Sequence, residues 1–238
     1  MVLLATQLAF ADALDAQIMT NSSGATMKWS HMPVEFSVDP TNSQALDESG
    51  VVSAVVSASG QWSGATGAGI SSRFRGAKTG LKGGYDEKNV VLFLDDWDGS
   101  PDLLAVTQTW STQEGEIVDF DMMINADDHF WSLDGESDAT DLWNTVSHEF
   151  GHALGIGHNG DDDAATMYPV AVDGEIAKRD LDDSDVRVAA YLYPKGAEEE
   201  DASLEDRPGC ASRPGAPSGT FAGMVAALSF LVCRRKEA

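Results

Sequence analysis

The chain has five histidines, and three of them crowd into the stretch SHEFGHALGIGHNG, Ser147 to Gly160. His148 and His152 are four residues apart, so on a helix both imidazoles leave from one face and can reach one ion. Gly155 and Gly157 follow, and a glycine there can adopt the left-handed conformation that ends a helix and turns the chain back. That turn brings in His158 as a third nitrogen ligand. Three protein ligands leave a fourth position open for water, the arrangement of a catalytic zinc rather than of a closed structural one. Glu149, beside the first histidine but offset around the helix, can touch that water without being a ligand and take its proton. Downstream, ATMYP supplies Met167 nine residues after His158, where a tight turn sets a methionine beneath the metal.

These residues need elements to hold them. DATDLWNTVSHEFGHALG reads as the helix that carries the first two histidines, with Asp138 as N-cap, Asp141 in the first turn and a stop at Gly155. Upstream, VEFSVDP from Val34 alternates as a strand does, and ALDESGVVSAVVSASGQWSGAT puts Val51, Val52, Val55, Val56 and Trp62 on one helical face. Four further strand-like runs are ISSRFRG from Ile70, NVVLFLDD from Asn89, LLAVTQTW from Leu103 and GEIVDFDMMIN from Gly115. DSDVRVAAYLYP closes the series as a helix stopped by Pro194. No internal repeat is present.

In this order, from about Lys28 to Pro194, the pieces resemble a metzincin, and within that clan a bacterial matrixin-like metalloprotease. The spacing His-Glu-x-x-His-x-x-Gly-x-x-His followed by a methionine turn is a known zinc protease signature. Its chance occurrence is on the order of 10⁻⁵ at ordinary residue usage, so it outweighs a reading of Met167 as mere core. The resemblance implies an α+β, zincin-like catalytic domain with a twisted, mixed five-stranded sheet, the active-site helix, the Met-turn and a C-terminal helix. It makes His148, His152 and His158 ligands of one catalytic Zn2+, Glu149 the general base, Met167 the Met-turn residue and Asp185 a buried structural carboxylate. It also makes LLAVTQTW, with Leu104, Ala105 and Val106, an edge strand whose unpaired backbone accepts an extended peptide substrate. Pro169, Val170 and Ala171 then form the wall of the pocket beside the zinc. Matrixins commonly place a tyrosine two residues beyond that proline. Ala171 in its place leaves either a wider pocket, the favoured reading, with a preference for a large apolar residue just after the cut, or a pocket filled by a neighbour, with Ala171 merely packed and specificity broad.

The chain also departs from the family. Asn159 follows the third histidine where matrixins often have serine, which leaves the subfamily open. No cysteine precedes Cys210, so latency through a cysteine that caps the zinc is not expected. The only histidine between His31 and His148 is His129, so a second, structural zinc is not expected either. Asp95, Asp96 and Asp98, Asp127 and Asp128, and Asp161 to Asp163 lie in oxygen-rich stretches that fit either Ca2+ or ordinary polar loops. The reading that follows is a secreted or surface zinc-dependent endopeptidase. The alternative is a zinc-bearing surface binding protein without turnover, although such a protein has no use for Glu149. Zinc-dependent hydrolysis of a non-peptide bond is a third reading.

Composition sets the frame. A length of 238 residues with 42% hydrophobic content suits one globular unit, expected as a monomer, with processed or flexible ends. With 39 acidic residues against 15 Lys and Arg, the net charge of −24 excludes nucleic acid as a partner. Residues 1–13, with an apolar run from Val2 to Ala11 and small residues at Ala11 and Ala13, read as a secretory signal, so an extracellular or cell-surface location is expected. Residues 14–27 form an N-terminal segment, 28–194 the catalytic domain and 195–219 an acidic, Pro- and Gly-rich linker. Residues 220–238 join an apolar segment to Arg234, Arg235 and Lys236, a pattern that resembles myxobacterial C-terminal sorting signals and reads as a sorting or anchor tail with transient membrane contact. Both cysteines, Cys210 and Cys233, fall in the last thirty residues, so the core is expected to hold no disulfide.

Overall fold

The alternation of VEFSV produces the first strand, β1 (Val34–Val38), which buries Val34, Phe36 and Val38 and leaves Glu35 exposed. A computed structural model describes residues 17–196 and, as backbone, 225–233; the signal-like residues 1–13, most of the linker, Cys210 and the basic cluster lie outside the described residues. The other expected strands are β2 (Ser72–Ala77), β3 (Val90–Leu94), β4 (Leu103–Ser111) and β5 (Ile117–Asn125). They lie in the order β2-β1-β3-β5-β4, parallel up to β5, with β4 antiparallel to β5 in the register Ala105↔Ile124 to Thr109↔Phe120. This is the mixed five-stranded sheet. Short strands β6 (Trp131–Ser132) and β7 (Thr140–Asp141) pair with each other alone.

Two more strands extend the main sheet to seven, β8 (Val170–Ala171) and β9 (Val225–Cys233), in the order β4-β9-β8. β4 is therefore not the free edge that the resemblance implied. It pairs with β5 on one side and antiparallel with β9 on the other, from Leu103↔Val232 to Ser111↔Val225. Edge strands expose unpaired backbone donors and acceptors, and the chain's own C-terminal segment satisfies these. Among the described residues, no helix is long and apolar enough to cross a membrane.

Helices pack on one face of the sheet. The first, α1 (Glu48–Ser63), is capped by Asp47, whose side chain accepts from the Gly50 N–H. It buries Val51, Ala54, Val55, Ala58 and Trp62, whereas Val56 is exposed, because Ala54 and Ala58 rather than Val52 and Val56 complete the inward stripe. The second, α2 (Leu142–Ala153), carries the histidines, and its Phe150 ring meets Phe36 at 5.2 Å and Phe120 at 6.1 Å between centroids. α3 (Asp183–Leu192) closes the domain with a capping box in which Asp182 and Asp185 each accept from the other's end of the first turn. The folded unit starts before Lys28. Ile18 bridges Ile156, Met27 N–H donates to Met19 O at 2.9 Å, and Trp29 Nε1–H donates to Ala153 O at 2.8 Å.

On the sheet face away from the helices, Asp119 and Asp121 are fully buried on alternate positions of β5. Gly84 N–H donates to Asp121 Oδ2 at 2.6 Å, and the Asp86 and Glu87 N–H groups donate to Asp119 Oδ2, both at 2.9 Å. The other oxygen of each carboxyl is buried with no hydrogen-bond partner. Burial pushes the Asp121 carboxyl up to about 7 against the Gly84 hydrogen bond, and Asp119 and Asp86 add to the rise. Between the ordinary carboxylate range and about pH 7 the folded chain then holds a proton that the unfolded chain has lost, so this group's contribution to stability falls as pH rises through that window. Asp121→Asn keeps the acceptor for Gly84 and removes the charge. It should stabilise the protein at pH 8 by on the order of 2 kcal/mol, with the gain vanishing near pH 4, as denaturant melts of the two proteins would show.

Candidate metal centre

α2 begins where its cap is fixed. Asp141 is the N-cap, not Asp138, because Thr140 and Asp141 are held in the β6–β7 pair and the Asp141 carboxylate accepts from Asn144 N–H at 2.8 Å and Arg179 Nε at 2.9 Å. The helix ends at Ala153, and Gly155 takes the left-handed conformation, φ 82°. A side chain at Gly155 would also meet the Met27 carbonyl at 2.0 Å, so both backbone conformation and close approach require glycine there. Gly157 has no positive φ; its N–H donates to Gln17 O at 2.7 Å. One glycine, not two, makes the turn.

The turn returns His158 toward the helix. The candidate ligand atoms of His148, His152 and His158 lie within 4.8 Å of one another, and Nε2 of His152 is 3.2 Å from Nε2 of His158. His148 and His152 are buried, and His158 is half-buried. His148 Nδ1 donates to Thr166 O at 2.7 Å, and His152 Nδ1 donates to Ile156 O at 2.8 Å. A carbonyl only accepts, so each Nδ1 carries the hydrogen and each Nε2 presents its lone pair. Burial first, and then the neighbouring His152 and His158, hold His148 well below the usual imidazole range. Burial and then His158 lower His152 to about 3. Both rings are thus neutral at physiological pH, the form that binds metal. Nε2 of His148 is buried without a hydrogen-bond partner, a costly state for an acceptor unless a cation fills the place. The three nitrogens suit a borderline-soft divalent ion such as zinc. Among the described residues this is the only set of three or more histidine, cysteine or carboxylate groups that converges in this way; the acidic loops around Asp95, Asp127 and Asp161 form none.

Glu149 is fully buried beside the first histidine, and Thr107 Oγ1 of β4 donates to its Oε2 at 2.5 Å. Met167 lies under the helix. A side chain at Gly151 would come within 2.1 Å of Met167 Sδ and 2.9 Å of the Trp62 ring, and Trp62 Nε1–H donates to Ser147 O at 2.8 Å. Asp185 is buried at the start of α3 and ties the turn down: it accepts from Thr166 N–H at 2.7 Å, Met167 N–H at 3.1 Å and Asp182 N–H at 3.0 Å. Burial raises its carboxyl even so. Asn159, in the position where serine is usual, is buried too, with its N–H on Met167 O at 2.9 Å and its amide on Ser184 Oγ at 3.2 Å. The same carboxylate thus serves the Met-turn and the last helix.

Leu104 and Ala105 are buried in β4, with Val106 9% exposed. Pro169 and Val170 are half-buried after the Met-turn, and Ala171 is buried in the core cluster. Lys178 anchors this segment. It is buried, its ammonium donates to Val170 O at 3.0 Å and pairs with Glu175, and its own N–H donates to Asn144 Oδ1 at 2.8 Å. Sequence reasoning missed Thr107, Gly151, Asn144 and Lys178. A glycine in mid-helix is the one sequence signal among these, since it marks a close contact. Thr107 and Asn144 depend on partners more than 30 residues away, and Lys178 is revealed only by its burial against Val170 and Glu175.

A helix with two histidines, a glycine turn to a third and a methionine turn beneath them define a metzincin-type metal site. Residues 28–194 match the peptidase M10 family, described as matrixin, and with more than half of its length matched the chain belongs to the matrixin family of metalloproteases. It is also similar to matrix metalloproteinase-C of Caenorhabditis elegans, 27% identical over 194 residues, a match that covers 77% of this chain and 31% of that protein. The chain thus spans about a third of the relative's length. The family implies zinc, and the three histidines fit it. His158→Ala leaves two ligands and should weaken zinc by on the order of 100-fold or more. Metal analysis after dialysis checks this, with about one zinc per chain retained by the unaltered protein.

Proposed function

We propose that this chain is a secreted, zinc-dependent endopeptidase that cleaves extended protein or peptide substrates. The observation that carries the reading is the pairing of three convergent imidazoles with a buried carboxylate that is not one of them. His148, His152 and His158 would hold the ion, which when bound supplies Lewis acidity toward a substrate carbonyl and toward water. Glu149 Oε2, oriented by the Thr107 hydroxyl, takes the proton from the attacking water and passes it to the departing amine nitrogen. Asp185, through the backbone of Thr166 and Met167, keeps the Thr166 carbonyl on His148 Nδ1 and so fixes the ring that flanks Glu149. Export is part of the same proposal, supported by the apolar run Val2 to Ala11; a mature chain that still begins at Met1 would contradict it.

Glu149→Ala should keep zinc and lose turnover by on the order of 10³-fold. Thr107→Val should lower kcat about 10-fold with KM and zinc content held, and Thr107→Ser should restore it, because only the hydroxyl matters. Hydrolysis of an unfolded protein with and without chelator measures each; undiminished turnover by the Glu149 variant would overturn the mechanism. Selectivity is assigned to the wall Pro169, Val170 and Ala171, since backbone pairing with Leu104, Ala105 and Val106, which requires β9 to leave β4, does not distinguish side chains. Cleavage of a peptide library should enrich Leu, Met or Phe just after the cut, and Ala171→Tyr should narrow that preference. No enrichment would count against this wall.

A further inference from the structure

The strand β9 runs along the outer side of β4, antiparallel to it, and its far end lies parallel to β8 in the register Val170↔Val232 and Ala171↔Cys233. It therefore lies between the strand and the wall segment that would together grip a peptide. Thr107, which orients Glu149, faces Ser229 in the ladder, so the middle of β9 crosses the level of that carboxylate. A peptide added to the same side of β4 needs the same backbone donors and acceptors. Two strands cannot hold them at once.

We infer that Val225–Cys233 is a built-in occupant of the peptide groove, which holds the groove shut until the tail is withdrawn. The inference rests on the proposed endopeptidase reading only in calling the groove a substrate site; the occupancy itself is a separate physical claim. The sequence of the occupant, VAALSFLVC, has no charged residue, so its exposed state in water is unfavourable and its strand state is not. Residues 197–224 join it to the domain, a stretch of sequence whose reach is roughly 90 Å at full extension. A tether of this length gives an effective concentration on the order of a millimolar, whereas a free substrate competes at its own, lower concentration. The register also describes what the groove accepts: an extended, uncharged segment, with Leu231 opposite Ala105 and Phe230 opposite Val106.

The test uses the full chain. In Ser229→Pro/Phe230→Pro, two adjacent prolines remove an N–H aimed at β4 whichever phase the ladder has. Neither residue belongs to the metal or carboxylate machinery. Activity toward a fluorogenic peptide, as kcat/KM, should rise by on the order of 10-fold or more over the unaltered chain. Measurable and equal kcat/KM in the two proteins would overturn the inference, and activity of the unaltered chain that rises on dilution would overturn its intramolecular form. Hydrogen exchange reads occupancy without turnover. In Glu149→Gln the amides of 225–233 should be protected, and the proline pair should release them and expose those of β4. Unprotected amides in 225–233 would overturn the proposal even in a chain that hydrolyses peptides. If neither protein hydrolyses anything while that protection is present, the endopeptidase reading fails and the occupancy stands.

Discussion

Three imidazoles brought to one point, two of them buried with their Nε2 lone pairs turned inward, are costly to assemble, so the surrounding structure has to force the arrangement. It does so through the opposite side of the rings. Backbone carbonyls of Thr166 and Ile156 take the Nδ1 hydrogens of His148 and His152, which fixes both tautomers and aims both Nε2 atoms at one point. Each carbonyl must in turn be held still. Ile156 sits at the Gly155 turn, pinned from outside by the bridge to Ile18, and Thr166 sits in the Met-turn, pinned by Asp185. Burial and the neighbouring imidazoles keep His148 and His152 neutral, which is the state a metal needs.

The same economy of contacts governs the protein around the site. Gly151 has no side chain because Met167 and the Trp62 ring occupy the space where one would sit, and this draws α1, α2 and the Met-turn into one packed unit. Removing any of the three would leave a cavity of at least a side chain's volume in a close-packed interior. β4 connects this unit to the groove. Its inward threonine, Thr107, reaches the Glu149 carboxylate while its outward backbone pairs with β9. A displacement of β4 would therefore be felt at the buried carboxylate and at the β9 ladder together.

Asp185 shows how one buried group can carry several structural duties. It closes the capping box of α3 and accepts two N–H groups of the Met-turn, so the last helix and the floor of the metal site share one anchor. Asn144 and Lys178 do the same for the wall segment, linking the first turn of α2 to Val170. A buried lysine is tolerated there because Glu175 and a carbonyl satisfy its ammonium.

The sequence by itself determined the class of fold and singled out the three histidines that the structure brings together, with the carboxylate beside the first of them. These are legible because histidines at i and i+4 share a helical face by geometry alone, and because alternation and helical periodicity place β1 to β5 and the helices to within a few residues. Local information was insufficient where two elements compete for the same residues: Asp138 and Asp141 are both good caps, and only the pairing of Thr140 and Asp141 with Trp131 and Ser132 decides between them. Tertiary structure alone revealed Thr107, whose value lies in a helix residue 42 positions away, and the strand partner of β4. A run such as VAALSFLVC carries the same hydrophobic signal whether it meets a bilayer, a receptor or a sheet edge. Which of these satisfies its backbone is settled by the hydrogen-bonding groups that the rest of the fold leaves open, and these do not exist until β4 is in place.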